Sequence, residues 1–308
     1  MSDWQLKTPV AFLVFNRPAQ TETVFEAIRQ AKPPKLLVVA DGPRANRPGE
    51  AEKCAAVRAI IDRVDWDCEV IKNYADANMG CKKRVSSGLN WVFDTVEEAI
   101  ILEDDCWPHH TFFRFCEELL EKYRDDKRIM MICGTNILGE WKSNIQSYHF
   151  SHYGMIWGWA SWRRAWSYYD VDMKLWSEPE IKNRIRDVLC EKSHYERVKG
   201  VFEQAYTGKV DTWDYQWAFT RFSQSGLSAI PAVNLITNIG FTEDATHFTG
   251  SVEGFSNLEL QSMSFPLKEP CGLAPDRAYG EGHNKKFSKK SVPERIQRKL
   301  KGLLASDR

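Results

Sequence analysis

The sequence predicts an α/β fold with a mainly parallel central sheet flanked by helices. Three observations predict it. Short apolar runs alternate with stretches of helical apolar spacing through the first half of the chain. The stretches between the apolar runs are long enough for the crossovers that parallel strands require. Polar residues gather just after the apolar runs: Asn16 and Arg17, then Asp41, then Glu103, Asp104 and Asp105. That is where an open α/β sheet binds ligands, beyond the carboxyl ends of its strands.

Residues 9–15 form the first buried-type strand, stopped by Asn16-Arg17-Pro18, and residues 21–30 carry helical spacing at Val24, Ala27 and Ile28. Residues 36–40 make a second strand, closed by Asp41-Gly42-Pro43. A helix over 50–64 aligns Val57, Ile60, Ile61 and Val64 on one face. A short strand over 68–71 leads to Asn78-Met79-Gly80 and then to a helix over 82–95 with Val85, Leu89, Val92 and Phe93. Next comes Ile100-Ile101-Leu102, which runs straight into three carboxylates. An amphipathic helix over 111–123 and a strand over 129–133 complete this half. Right-handed crossovers then bring the strand ends to one edge.

The second half is aromatic. Most of the twelve tryptophans lie between Trp141 and Trp217, including Trp157-Gly158-Trp159 and Trp213-Asp214-Tyr215-Gln216-Trp217. Residues 179–206 read as mostly helical and 229–233 as a late strand. Excess aromatic surface suits either a pocket that stacks on flat ligand faces or an ordinary core.

The acidic triplet is the most informative stretch. Like charges packed this closely are stable together only in water or around a cation, and hard oxygen ligands suit Mg²⁺ or Mn²⁺. An isolated triplet also fits an exposed acidic turn. Three strand ends converging on one edge favour the site. Phosphate loops of the GxxxxGK[ST] kind, or a GxGxxG after the first strand, do not occur.

Composition narrows the classes further. With 42 basic and 42 acidic residues in 308 the formal charge balances, so nucleic acid is not an obvious partner for the whole chain. Eight cysteines show neither CxxC nor zinc-ligand spacing. The polar N-terminus lacks an apolar signal core, and no apolar run approaches the roughly 20 residues that span a bilayer. A cytoplasmic protein with reduced thiols is expected. Residues 281–308 hold nine Lys/Arg against three acids, with Val292, Ile296, Leu300, Leu303 and Leu304 on one helical face. Such a basic amphipathic helix over 284–308 suits an anionic membrane surface on the inner face of the membrane, or packing on its own domain.

The ordered set of Asn16/Arg17, Asp41, Asn78-x-Gly80 and Glu103-Asp104-Asp105 resembles the GT-A glycosyltransferases, in particular family-2-type bacterial enzymes. It is also similar to N-acetylglucosaminyltransferase I, where an EDD triplet again precedes a Pro and a Phe-Phe pair, here Pro108 and Phe112-Phe113. The resemblance covers about residues 9–250. It implies a GT-A domain over 1–250, with a nucleotide-binding half (1–135) and an acceptor/base half (136–250), followed by an extension over 251–283.

The resemblance also implies roles. Asp105 would ligate Mn²⁺ or Mg²⁺, Asp104 would face the ribose and metal shell, and Glu103 would serve catalysis at the donor sugar. Asp41 would accept from the nucleobase, with Asn16 and Arg17 near the nucleotide and Lys83 or Arg84 at the diphosphate. Asp214, in a segment similar to WDDW, would be the base, with Asp211 as its rival. Trp157, Gly158 and Trp159 would border the donor sugar, and His247 would reach metal or diphosphate. The implied reaction is a metal-dependent, inverting transfer of a sugar, GlcNAc as first guess, from a UDP-sugar to a glycan or lipid-linked acceptor. A sugar-nucleotide nucleotidylyltransferase and a non-catalytic nucleotide-sugar or glycan binder are the rivals.

Overall fold

The computed structural model describes residues 4–241 and 258–288. In chain order these form β1 (Val10–Val14), α1 (Pro18–Ala31), β2 (Lys35–Ala40), α2 (Glu50–Ile61), β3 (Glu69–Tyr74), α3 (Cys81–Thr95) and β4 (Glu98–Glu103). There follow β5 (Cys106–Pro108), α4 (Thr111–Lys122), β6 (Ile129–Cys133), β7 (Tyr148–Ser151), β8 (Trp159–Trp162) and α5 (Arg163–Trp166). After a 3₁₀ turn at Lys174–Ser177 come α6 (Pro179–Leu189), α7 (Lys192–Tyr206), α8 (Asp214–Ser223), β9 (Leu227–Pro231), β10 (Ile236–Asn238) and α9 (Arg277–Ser288). His247 and residues 289–308 lie outside the described residues, so the expected basic helix over 284–308 is described only where it overlaps the end of α9. Among the described residues no helix is long and apolar enough to cross a membrane.

The fold class is the one the sequence predicts. An eight-stranded sheet among the described residues runs β3-β2-β1-β4-β8-β6-β9-β7. Strands β3, β2, β1 and β4 are mutually parallel, as are β6 and β9. Successive side chains of a strand point to opposite faces, which splits the core in two. Val10, Phe12 and Val14 pack with α1, α2 and α4, whereas Ala11 and Leu13 pack with α3, α5 and α8. Both faces of β1, β2 and β4 are therefore covered, which explains their apolar runs, whereas the edge strand β3 is more exposed.

Two features depart from the sequence reading. Strand β8 inserts antiparallel between β4 and β6, and β7 adds antiparallel at the edge. The stretch 179–206 is mostly helical, as the sequence predicts, in two helices separated at Cys190 with φ 60°. The antiparallel β8 matters for the site. Its register places Trp159 opposite Ile101, so the preceding Trp157-Gly158 turn falls beside the acidic end of β4.

The aromatic half is largely core. Trp159, Trp166, Trp213 and Trp217 form one cluster, with ring centroids 5.8 Å apart for Trp159–Trp213 and 5.2 Å for Trp166–Trp217. Each is nearly or fully buried. At about 25 cal/mol per Å² and 150–250 Å² per ring, each contributes roughly 4–6 kcal/mol of transfer free energy. That corrects one expectation: Trp159 is buried in the core and does not border a sugar. The indoles of the cluster are spent holding α5 and α8 to the sheet.

Candidate active site

The site is built at the carboxyl edge of the parallel strands. Strand β1 ends at Val14 and the chain turns through Phe15-Asn16-Arg17 into α1, whose Pro18 supplies the fixed φ suited to a first helical turn. Strand β4 ends at Glu103 beside it. The Phe15 amide donates to Asp104 Oδ2 at 3.3 Å, so the two strand ends are tied directly. Arg17 Nη1 donates to Asp105 Oδ2 at 2.7 Å and lies 3.6 Å from Asp104 Oδ1.

The opposite side of Asp105 is held by a late segment. Strand β10 pairs antiparallel with β5, setting Asn238 opposite Cys106. Asn238 Nδ2 donates to Asp105 Oδ1 at 3.3 Å, while Asn238 Oδ1 accepts the Gly240 amide at 2.8 Å. A Cβ on Gly240 would come within 2.1 Å of Asp105 Oδ2, so only glycine lets the carboxylate sit there. Trp157 meets Phe241 edge-to-face at 5.6 Å and closes this rim. Gly158, at φ 58°, lies beneath it, where a Cβ would strike Ile236.

Electrostatically the triplet is strained in a way a cation would relieve. Burial, then Asp105, raises the Asp104 carboxyl to about 7, against the pull of Arg17. Glu103 is raised well above the usual carboxylate range, first by burial and then by Asp105, Asp104 and Asp214. Its Oε1 is buried without a hydrogen-bond partner. Burial lowers Arg17, but Asp104 and Asp105 more than offset it, so the guanidinium stays charged. Asp214, at the start of α8, is among the charges that raise Glu103. Asp214 opens α8 and accepts a hydrogen bond from Thr212 Oγ1.

A divalent cation fits this donor set: all-oxygen, anionic, and including an orphaned buried oxygen. Among the described residues no three His, Cys, Asp or Glu converge on one point. The chain would therefore supply Asp105, with Asp104 in support, and leave other positions to phosphate and water.

Several sequence-singled residues serve the scaffold. Asp41 accepts the amides of Gly42 (2.8 Å) and Met79 (2.9 Å) and Asn78 Nδ2 (3.0 Å), which clasps the end of β2 to the Asn78–Gly80 turn. Both its oxygens are thus engaged, and burial raises it. Arg84 is buried and donates to Ala40 O at 3.1 Å and Asn73 Oδ1 at 3.0 Å, beneath the strand ends. Asn16 donates to Glu50 at 2.9 Å. Lys83 is exposed on α3 and lines a separate cleft. Asp211, the rival base, accepts the Cys81 and Lys82 amides at 3.1 Å each and so caps α3. Asn238 and Gly240 were missed as site residues. The Asn238-Ile239-Gly240-Phe241 cluster was the available signal, but only β5–β10 pairing gives it meaning.

No protein-family model matches the chain, and no curated protein matches it. Among solved structures, it is similar to an active-site mutant of LgtC, at 10% identity over 94% of this chain and 99% of that one, TM-score 0.38. It is also similar to a UDP-glucose pyrophosphorylase complexed with UDP-glucose, at 8% identity over 82% and 97%, TM-score 0.38. A third is the glycosyltransferase GlyE of Streptococcus pneumoniae TIGR4, at 9% identity over 73% of this chain and 45% of that one, TM-score 0.35. Likeness at this level carries no argument about what this chain does.

Proposed function

We propose that the chain is a glycosyltransferase of GT-A type that uses a nucleotide-diphosphate sugar, with a UDP-sugar and GlcNAc as the first donor to test. The observation that carries this reading is the meeting of Glu103, Asp104 and Asp105 with Arg17 at the sheet's carboxyl edge, with Asp214 near enough for its charge to act on Glu103. In the proposed reaction an acceptor hydroxyl attacks the anomeric carbon and yields its proton to Asp214. The bond from that carbon to the phosphate oxygen breaks, and the nucleoside diphosphate departs with the electron pair.

Attack from the face opposite the leaving group inverts the anomeric centre. Mn²⁺ or Mg²⁺ held at Asp105 would supply charge stabilisation for the leaving diphosphate. Arg17 orients Asp105 and adds fixed positive charge at the same edge. Trp157 and Gly158, beside the acidic end of β4, are proposed to border the donor sugar. Residues 284–308 are proposed to bring the enzyme to an anionic membrane surface, which suits a lipid-linked or glycan acceptor.

Assaying products from a UDP-sugar with Mn²⁺ tests the reading. Release of UDP, by transfer or slow hydrolysis, supports it. Pyrophosphate formation from UTP and a sugar phosphate would instead establish nucleotidylyl transfer, and binding with no turnover at all would leave a nucleotide-sugar binder.

A further inference from the structure

Helix α9 is seated through two buried histidines whose surroundings suit only the neutral ring. Strand β7 is the edge of the eight-stranded sheet, and its Phe150 carbonyl accepts the Asp276 amide at 2.7 Å, just before α9 begins. From there the helix lies close against the body. A Cβ on Gly280 would come within 3.2 Å of the Tyr153 ring, and one on Gly282 within 2.8 Å of Leu138.

The docking contacts are ring on ring. Tyr279 packs on His149 of β7 with centroids 4.3 Å apart, and His283 stacks on Tyr153 at 4.6 Å with 25° between the planes. His149 is 2% exposed and His283 6%. Neither nitrogen of His149 has a hydrogen-bond partner among the described residues, and nor does His283 Nδ1. A proton added to either ring would be a buried charge with no counter-charge against it.

The neighbouring charges mostly oppose that proton. His283 has Arg197 and His194 from α7 and Arg221 from α8 around it, and Arg197 Nε donates to the adjacent Asn284 Oδ1 at 2.6 Å. The His194 Nδ1 lies 3.2 Å from the Tyr153 hydroxyl. His149 has Asp276 and Lys142 nearby, but Asp276 already accepts from Lys142 Nζ at 2.6 Å, Trp141 Nε1 at 2.9 Å and the Tyr279 amide at 3.1 Å. On α9 itself, Arg277 pairs with Glu191 and Glu281, and Lys286 donates to the Ile137 carbonyl. Burial, then Arg197, Arg221 and His194, lowers His283 to about 3, and burial lowers His149 to about 4 against the pull of Asp276.

We propose that α9 is an acid-released latch: acidification shifts it from its seat on β7 and α7 to an undocked state while the sheet stays folded. This rests on the packing of α9 and is independent of the transfer chemistry.

Once undocked, each ring titrates near ~6.5. Below that value the undocked state holds protons that the docked state lacks, so docking is fully favourable above it and weakens as pH falls, by about tenfold per histidine between pH 7.5 and 5.5. Burial raises the Asp276 carboxyl, but Lys142, Trp141 and the Tyr279 amide outweigh it and hold the group below the usual carboxylate range, beneath this window.

Hydrogen exchange of full-length protein, read by mass spectrometry at both pH values and corrected for intrinsic exchange chemistry, tests the latch. Protection of α9 should fall about 100-fold while β1 and β2 change far less. His283→Phe keeps a ring on Tyr153 and should reduce the fall to about tenfold. Should that variant not fold, NMR titration of the wild-type ring protons supplies the test, with both rings expected to titrate well below ~6.5. Unchanged protection of α9, equal loss in α9 and the sheet, an undiminished fall in folded His283→Phe, or either ring titrating at ~6.5 or above would overturn the proposal.

Discussion

Arg17 Nη1 lies 2.7 Å from Asp105 Oδ2, and this pair, 88 residues apart in sequence, joins the end of β1 to the end of β4. The guanidinium sets where Asp105 points, and Asn238 holds it from the other side. Asp105→Ala should abolish metal-dependent nucleotide binding and lower turnover by 100-fold or more, with the fold retained. Unchanged calorimetric affinity for UDP with Mn²⁺ would remove Asp105 from the metal assignment.

Gly240 tests the same geometry without touching a charge. An alanine there would place its Cβ within 2.1 Å of Asp105 Oδ2, so the carboxylate or the β10 end must shift. We expect Gly240→Ala to cost about 10- to 100-fold in kcat/KM, since misplacement near 1 Å has effects of this size. Gly200, in α7 with nothing within 4 Å, is the control. Gly200→Ala should leave activity alone and raise stability by up to about 1 kcal/mol. Matching kinetics for the two variants would show that Asp105 placement is unimportant.

Asp214→Asn should keep donor binding and lose transfer by about 10²–10⁴-fold, the usual contribution of a positioned base. Near-normal turnover would move the base elsewhere. Asp211→Asn makes a different prediction, because Asp211 caps α3: a loss of stability near 1 kcal/mol, read as a lower Tm.

The Asp104 carboxyl, raised to about 7, gives a pH dependence. Unfolded, it titrates near ~3.9. Between those values the native state keeps a proton that the unfolded state has lost, so this group lowers stability as pH rises from about 4 to about 7 and no further above that. Glu50, held down to about 2 chiefly by its hydrogen bond from Arg44, works in the opposite sense, so the difference between variant and wild type is the useful measurement. In metal-free protein, Asp104→Asn should gain stability relative to wild type across pH 4–7, on the order of a few kcal/mol at most. Parallel Tm–pH curves would refute the raised carboxyl.

Trp159 and Trp157 separate core from rim. Trp159→Ala removes a fully buried ring and should cost about 3–5 kcal/mol. Trp157 is partly exposed at the site's edge, so Trp157→Ala should lower stability less and raise the donor KM. A destabilised Trp157 variant with normal KM would place that ring in the core as well.

The first half was legible because its signals are local. Apolar runs such as 9–15 and 36–40 must be buried on both faces, and helical stripes such as Val85, Leu89 and Val92 must face them, so the parallel half follows from pattern alone. The triplet was legible for the same reason, as charges that end a buried run. Strands β7, β8 and β10 carry three or four residues each, too few for a period to show. Their pairings decide much of the site.

Residue type alone thus determined the α/β class, the acidic edge and the identity of Arg17, Asp105 and Asp214 as charged groups worth testing. The tertiary structure decided what each one touches. Asp41 and Arg84 have the same chemistry as the candidate site residues, but buried backbone groups claim them, because an unpaired polar group inside the protein is costly, and the exposed Asp211 is taken up by the first amides of α3. Trp159, Trp213 and Trp217 were likewise equal to Trp157 on paper. An antiparallel β8, unreadable in four residues, sends Trp159 into the core, where Trp213 and Trp217 from the start of α8 pack on it, and leaves Trp157 at the rim.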